Sequence, residues 1–321
     1  MPEAAAPAVP AYVRHVFPAR GAWRRRWLNL FLRWTVKRQM LADLDLARFR
    51  ATQEPFDARF ARVDPAVRRS PVDAGGVAAE WIEVPETKPG RVVLYLHGGA
   101  FMLRFPNLHG GMVGDWCRRL AARALMVDYR LAPEHPFPAG ADDCHAAYRW
   151  LLEQGCAPGG IVIAGDSAGG NLALSTLHRI KAAGEPLPAC AVLMSPFVDF
   201  TLTGESLVRN EWRDPVFTLA AFASSRNLYA APERFVDRLV SPLFGDFEGL
   251  PPMLFQVGST EMLLDDSLRA AARAHAAGVP VEVEVWDRMP HVFMALHTLP
   301  QAKDATDGIV RFVAARAGWS G

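Results

Sequence analysis

The sequence predicts an α/β fold: a central, mostly parallel sheet flanked by helices, with a helical cap built from the N-terminus and a mid-chain insertion. Three observations carry that expectation. Short, continuously apolar, β-branched runs alternate with helical patterns through most of the chain, as buried parallel strands joined by crossover helices do. The segment up to Val72 differs in composition, being rich in arginine and aromatic residues. Finally, roughly 55 residues separate Ser195-Pro196 from the apolar run that begins at Met253, far more than an ordinary crossover needs.

Taken in order, the strand candidates are 77–84, 91–96, 124–128, 160–165, 189–194, 253–257 and 281–286, and the helix candidates are 109–122, 141–153, 168–183, 264–277 and 302–315. Within the long insertion, Asp214-Pro215 followed by Thr218 signals a helix start. The expected division is a cap segment over 1–72 and a catalytic domain over 73–321, to whose cap 197–245 contributes. No internal repeat or low-complexity tract interrupts it.

A chain of 321 residues, 50% of them apolar, can bury one large core. Its 35 lysines and arginines nearly balance 34 aspartates and glutamates, so no global field draws it to nucleic acid. Cys117, Cys144, Cys156 and Cys190 are scattered, without metal-ligand spacing, and read as buried thiols in a reducing compartment. The opening MPEAAAPAVPAYV puts an acid and prolines where an export signal needs positive charge and an apolar stretch, so a cytoplasmic protein is expected. No uncharged apolar run approaches the roughly 20 residues that cross a bilayer.

Two motifs carry chemistry. Ile161-Val162-Ile163-Ala164 is a buried strand, Gly165-Asp166-Ser167-Ala168-Gly169 a sharp G-x-S-x-G turn, and Gly170 onward a helix, which is the strand-turn-helix setting of a serine nucleophile. Ser167 then stands exposed at a helix N-terminus whose positive end favours developing negative charge. Upstream, a second apolar strand runs into His97-Gly98-Gly99-Ala100-Phe101. Acyl transfer needs fixed backbone N–H groups for the oxyanion, each worth roughly 3 kcal/mol of barrier. Gly99, Ala100 and Ala168 are the expected donors. Gly98 belongs to the same oxyanion turn and shapes it, and His97 braces it.

The combination of HGGAF at His97, GDSAGG at Gly165 and DYRLAPEHPFPA over 128–139 resembles the hormone-sensitive-lipase-like family of bacterial esterases (family IV), of the α/β-hydrolase fold. The resemblance extends from about Arg91 to the C-terminus, with SPLFG at Ser241, LPPMLFQVGS at Leu250 and PHVF at Pro290. It implies hydrolysis of short- to medium-chain carboxylic esters by a serine-acid-histidine triad, with no cofactor or metal. Ala100 stands where the family's third glycine is usual, and the expectation is that an alanine with negative φ serves as well, because the donor is backbone.

In this fold the acid and then the histidine follow the serine along the chain. His178 and His275 fall inside helices. His291 follows the strand 281–286 and a short loop, the position of a general base, and His297 is the rival. For the acid, the loop after strand 253–257 offers Glu261, Asp265 and Asp266. Glu261 is favoured, where the family usually has aspartate. Asp265 and Asp266 begin a helix, where carboxylates also serve the dipole.

Asp128, Arg130, Glu134 and Asp143 are expected to form buried salt links beside the oxyanion turn, and Asp166 to brace the nucleophile turn. Trp27, Leu30, Phe31 and Trp34 share one face of an arginine-rich helix. The favoured reading lays that face over the active site, so that Trp27 and Phe31, with Phe101 and Val292, line the substrate pocket. Contact with an anionic membrane is the less favoured reading of the same helix. Amide, carbamate or lactone hydrolysis, a non-catalytic small-molecule receptor, and a homodimer stay open.

Overall fold

The computed structural model describes residues 9–39, 46–59, 64–296 and 299–319. In chain order its elements are β1 (Val13–Val16), α1 (Ala22–Leu32) running into a π-helical turn (Arg33–Lys37), α2 (Leu46–Ala58), β2 (Arg68–Asp73), β3 (Ala78–Glu83), β4 (Val92–Leu96), α3 (Pro106–Leu120), β5 (Arg123–Val127), α4 (Ala139–Glu153), β6 (Ile161–Asp166), α5 (Ala168–Ala182) and β7 (Cys190–Met194). There follow α6 (Ser206–Arg209), α7 (Leu219–Tyr229), β8 (Met253–Gly258), α8 (Leu264–Ala276), β9 (Val281–Trp286) and α9 (Pro300–Arg316).

One sheet takes the order β1-β9-β8-β7-β6-β4-β5-β3-β2. Pairing is parallel from β1 to β5 and antiparallel at the β5-β3 and β3-β2 steps. Strands β4, β6, β7 and β8 are buried at every residue, which is why their sequences are continuously apolar rather than alternating. A separate apolar cluster packs on each face of the sheet.

Every expected strand forms, with ends shifted by at most one residue, as do the five expected helices, with ends shifted by at most three. Two strands were not foreseen. The 1–72 segment is more than a helical cap, because β1 pairs with Val283–Trp286 of β9 at one edge and β2 forms the other edge. The expected boundary at Val72 therefore falls inside β2. Its sequence, RRSPVD, carries a proline and charges that disguise a strand, and only an edge strand tolerates them. Thr218 does cap α7, its Oγ1 accepting the Ala221 N–H at 3.1 Å.

Candidate active site

The site lies at the C-terminal ends of β4, β6, β8 and β9, where an open α/β sheet leaves a crevice. Ser167 joins β6 to α5 with φ 53 and ψ −117, a strained conformation for a residue with a Cβ. The strain persists because the turn is clamped: Ser167 donates its N–H to the Met194 carbonyl at 2.8 Å. A Cβ on Gly169 would come within 1.9 Å of the Leu96 carbonyl oxygen, so only glycine lets the start of α5 sit against β4 and bring Ser167 beside the His97 turn.

In that turn the N–H groups of Gly99 and Ala100, and beside it that of Ala168 at the start of α5, donate to no group among the described residues. Gly98 is different. Its N–H donates to Asp166 Oδ1 at 2.8 Å and so is not free. Ala100 also departs from expectation: its φ is +53, with Phe101 at +64, so both occupy the left-handed region at a cost of roughly 1 kcal/mol each. Alanine tolerates that φ. Gly99 is irreplaceable, with φ 125 and only 2.2 Å between an added Cβ and the Leu103 carbonyl oxygen.

Asp166 ties the two turns together. Besides Gly98 it accepts the Tyr95 hydroxyl at 2.5 Å and faces His109 Nε2 at 3.3 Å. Burial pushes its carboxyl up, but His109, Tyr95 and the Gly98 N–H outweigh that and hold it down at about 2. His97 stacks flat on Tyr129, centroids 4.2 Å apart, and burial drives its pKa down to about 3, so it braces the turn as a neutral ring.

Of the candidate acids, Glu261 meets the histidine: its Oε2 lies 2.8 Å from His291 Nδ1. Its Oε1 accepts the Gly258 N–H at 2.5 Å and the Ser195 hydroxyl at 2.9 Å, which pins the longer side chain. Asp265 instead takes the Ser206 N–H at 2.8 Å and Arg209, and Asp266 takes the N–H groups of Val198 and Asp199. His291 Nε2 is buried, with no hydrogen-bond partner among the described residues. Burial lowers this imidazole's pKa, yet the hydrogen bond and charge of Glu261, with Asp214 and Asp166 beyond, raise it above the usual histidine value. Phe217 packs edge-on against the ring at 4.8 Å. His178 is buried against the Pro242 carbonyl, His275 packs on Tyr12, and His297 lies outside the described residues.

A cavity of about 50 Å³ opens at Ser167, walled by Phe49 of α2, Met102 and Leu103 after the His97 turn, Phe197, and Phe217 and Phe222 at α7. None of the four side chains expected to line it does so. Trp27 and Phe31 are 67% and 60% exposed, Phe101 is buried in a stack on Tyr229, and Val292 packs against the cluster on one sheet face. Besides residues next to the two glycine turns, the lining comes from α2, which carried no signal of its own in the sequence, and from the segment at α7, where the sequence marked a helix start but not its place at the cavity.

Of the expected salt links, one forms between two of the four named residues, with Asp143 buried, while Asp128, part-exposed, and Glu134, exposed, take partners outside that set. Arg130 pairs with Asp143, Arg104 with Asp128, and Arg50 of α2 with Glu134. Arg50 also donates to the carbonyls of Met102 and Ala132, fastening α2 beside the His97 turn. As part-exposed pairs they contribute up to about 1 kcal/mol each.

This layout has counterparts. Residues 93–295 match the family described as alpha/beta hydrolase fold. The chain belongs to that family. An acetyl-hydrolase of Streptomyces hygroscopicus is 41% identical over 237 residues, covering 74% of this chain and 79% of that one. An esterase of Acinetobacter venetianus is 36% identical over 292 residues, covering 90% and 96%. Among solved structures, an esterase from the bacterial hormone-sensitive lipase family superposes with a TM-score of 0.87 at 37% identity, over 93% of this chain and 99% of that one. The alpha/beta hydrolase thus has esterases of the hormone-sensitive lipase group among its near structural relatives. Among the described residues no cluster of side chains is suited to a metal ion.

Proposed function

We propose that this carboxylic ester hydrolase works through an acyl-enzyme on Ser167. Ser167 Oγ attacks the ester carbonyl as His291 Nε2 takes its proton. The oxyanion is held by the N–H groups of Gly99, Ala100 and Ala168, and collapse expels the alcohol, which receives the proton back from His291. Water then attacks the acyl group by the same proton route and frees Ser167. Glu261 keeps Nδ1 protonated, so that Nε2 presents its lone pair, and stabilises the imidazolium.

The observation that carries this reading is the Glu261–His291 pair, 2.8 Å apart, whose other ring nitrogen is buried and unpartnered beside the cavity wall at Phe217. The small aromatic-walled cavity favours the short end of the acyl range. The relatives named for esterase and acetyl-hydrolase activity agree with it.

The test combines a fluorophosphonate probe with p-nitrophenyl esters of increasing chain length. The expected result is one adduct on Ser167 by mass spectrometry, absent in Ser167→Ala and slowed in His291→Ala, with turnover greatest for short chains. An intact protein that takes no adduct and hydrolyses none of the esters would overturn the proposal and leave a binding role on the same fold.

A further inference from the structure

The face of α1 that was expected to cover the cavity points into solvent. Trp23, Trp27, Leu30, Phe31 and Trp34 follow one another at helical spacing, and each is at least half exposed. The opposite face holds the helix down. Arg25 donates to the carbonyl of Asp287, Asn29 to that of Arg288, and Leu28 packs into the core. The outward direction is thus set by three anchors on the far side.

Charge on this stretch is of one sign. No acidic residue occurs between Glu3 and Asp43, while Arg20, Arg24, Arg26, Arg33 and Arg38 are exposed along it. Arg24 sits over the Trp23 ring at 5.3 Å. Arginine interleaved with tryptophan, leucine and phenylalanine on one helix matches a surface that is anionic above and apolar below, the headgroup and acyl boundary of a lipid bilayer. A second copy of the chain matches it poorly, because a two-fold contact would set these arginines against their own symmetry mates with no carboxylate on the helix between them.

We propose that α1 is an interfacial anchor that seats this protein on anionic lipid surfaces. The anchor is tied to the cavity. Arg33 donates to the Arg213 carbonyl at 2.8 Å, and Lys37 to the carbonyls of Glu211 and Asp214. That loop carries Trp212, 82% exposed, and leads directly into Phe217, Ala221 and Phe222 of the cavity wall. Seating α1 therefore brings the same cap that walls the cavity close to a lipid phase in which apolar esters concentrate.

The experiment is co-sedimentation of the full chain with vesicles of phosphatidylcholine alone and of phosphatidylcholine with roughly a third phosphatidylglycerol. Binding should be about tenfold stronger on the anionic vesicles and should weaken steeply toward roughly 1 M salt, where screening is nearly complete. Trp23→Asp/Leu30→Asp/Trp34→Asp should lower it at least about tenfold while leaving turnover of a water-soluble p-nitrophenyl ester within about twofold, which shows the variant folded. The proposal is overturned if the full chain binds neither vesicle, if the triple variant binds as well as the parent, or if light scattering finds a dimer that the triple variant converts to monomer.

Discussion

Two aromatic surfaces of this alpha/beta hydrolase meet opposite fates. Around Ser167, Phe197 and Phe222 are each 5% exposed and wall a cavity, whereas on α1 and the π-helical turn after it, Trp23, Trp27 and Trp34 are each more than 60% exposed. By sequence the second set had the better claim to the pocket, because its spacing is regular. Periodicity shows that a helix has an apolar face. It does not show what covers that face, which depends on where the far side is anchored. For α1 the anchors are the loop over 287–288 and the core beneath it, and they turn the tryptophans outward.

The comparison is sharpened most by removing chemistry from the cavity side. Ser167→Ala should cut kcat by about 10⁶-fold, measured against p-nitrophenyl acetate, while the triple α1 variant leaves the same assay within about twofold. Equal losses in the two would erase the distinction between the surfaces.

Next in size is the acid. Glu261→Gln should cost about 10⁴-fold in kcat, whereas Asp265→Asn, whose carboxylate is committed to Ser206 and Arg209, should cost less than about tenfold. The pH profile adds a sign. In the proposed mechanism His291 is the base in its neutral form, and the Glu261 charge raises its pKa, so activity of the parent should climb through a pH above the ordinary imidazole value. Without that charge the imidazole loses its proton more readily, and the residual activity of Glu261→Gln should set in at lower pH. A limb that stays in place would make another group the base.

Phe49→Ala enlarges the cavity from the α2 side. The ratio of kcat/KM for p-nitrophenyl octanoate over butyrate should rise by about tenfold. No change in that ratio would mean that acyl chains bypass the aromatic wall.

The smallest effect is one of stability, beneath the cavity. Asp266 holds the N–H groups of Val198 and Asp199, next to Phe197, and burial pushes its carboxyl up to about 8. Its folded pKa lies above the unfolded value, so the folded state binds the extra proton. Stability is full below the unfolded pKa and declines as pH rises toward about 8. Asp266→Asn, which keeps the acceptor and has no charge to bury, should gain on the parent by about 1 kcal/mol per pH unit over pH 6–8 in urea melts. A constant difference across that range would remove the titration.

The readable parts of the fold share a physical reason. A parallel strand buried on both faces must be apolar throughout, so β4, β6, β7 and β8 announce themselves, and the turns over 97–101 and 165–169 need glycines that few other structures need. Edge strands obey a looser rule. No residue of β1 or β2 is buried, and β1 pairs with β9, distant in sequence, so no apolar run marked them.

For the same reason the chain alone determined the sheet and the glycine turn around Ser167, and it narrowed the proposed acid and base to a few residues that follow. Those features are written in local backbone requirements and in the few residue types able to do the chemistry. Tertiary structure decided the rest. It directed Glu261 rather than Asp265 toward His291, tied the Gly98 N–H to Asp166, held Ala100 at positive φ, and put Phe49 and Phe222, not Trp27 and Phe31, at the cavity. Each of those outcomes is a competition among similar side chains for one partner, and only distances through folded space settle which one wins.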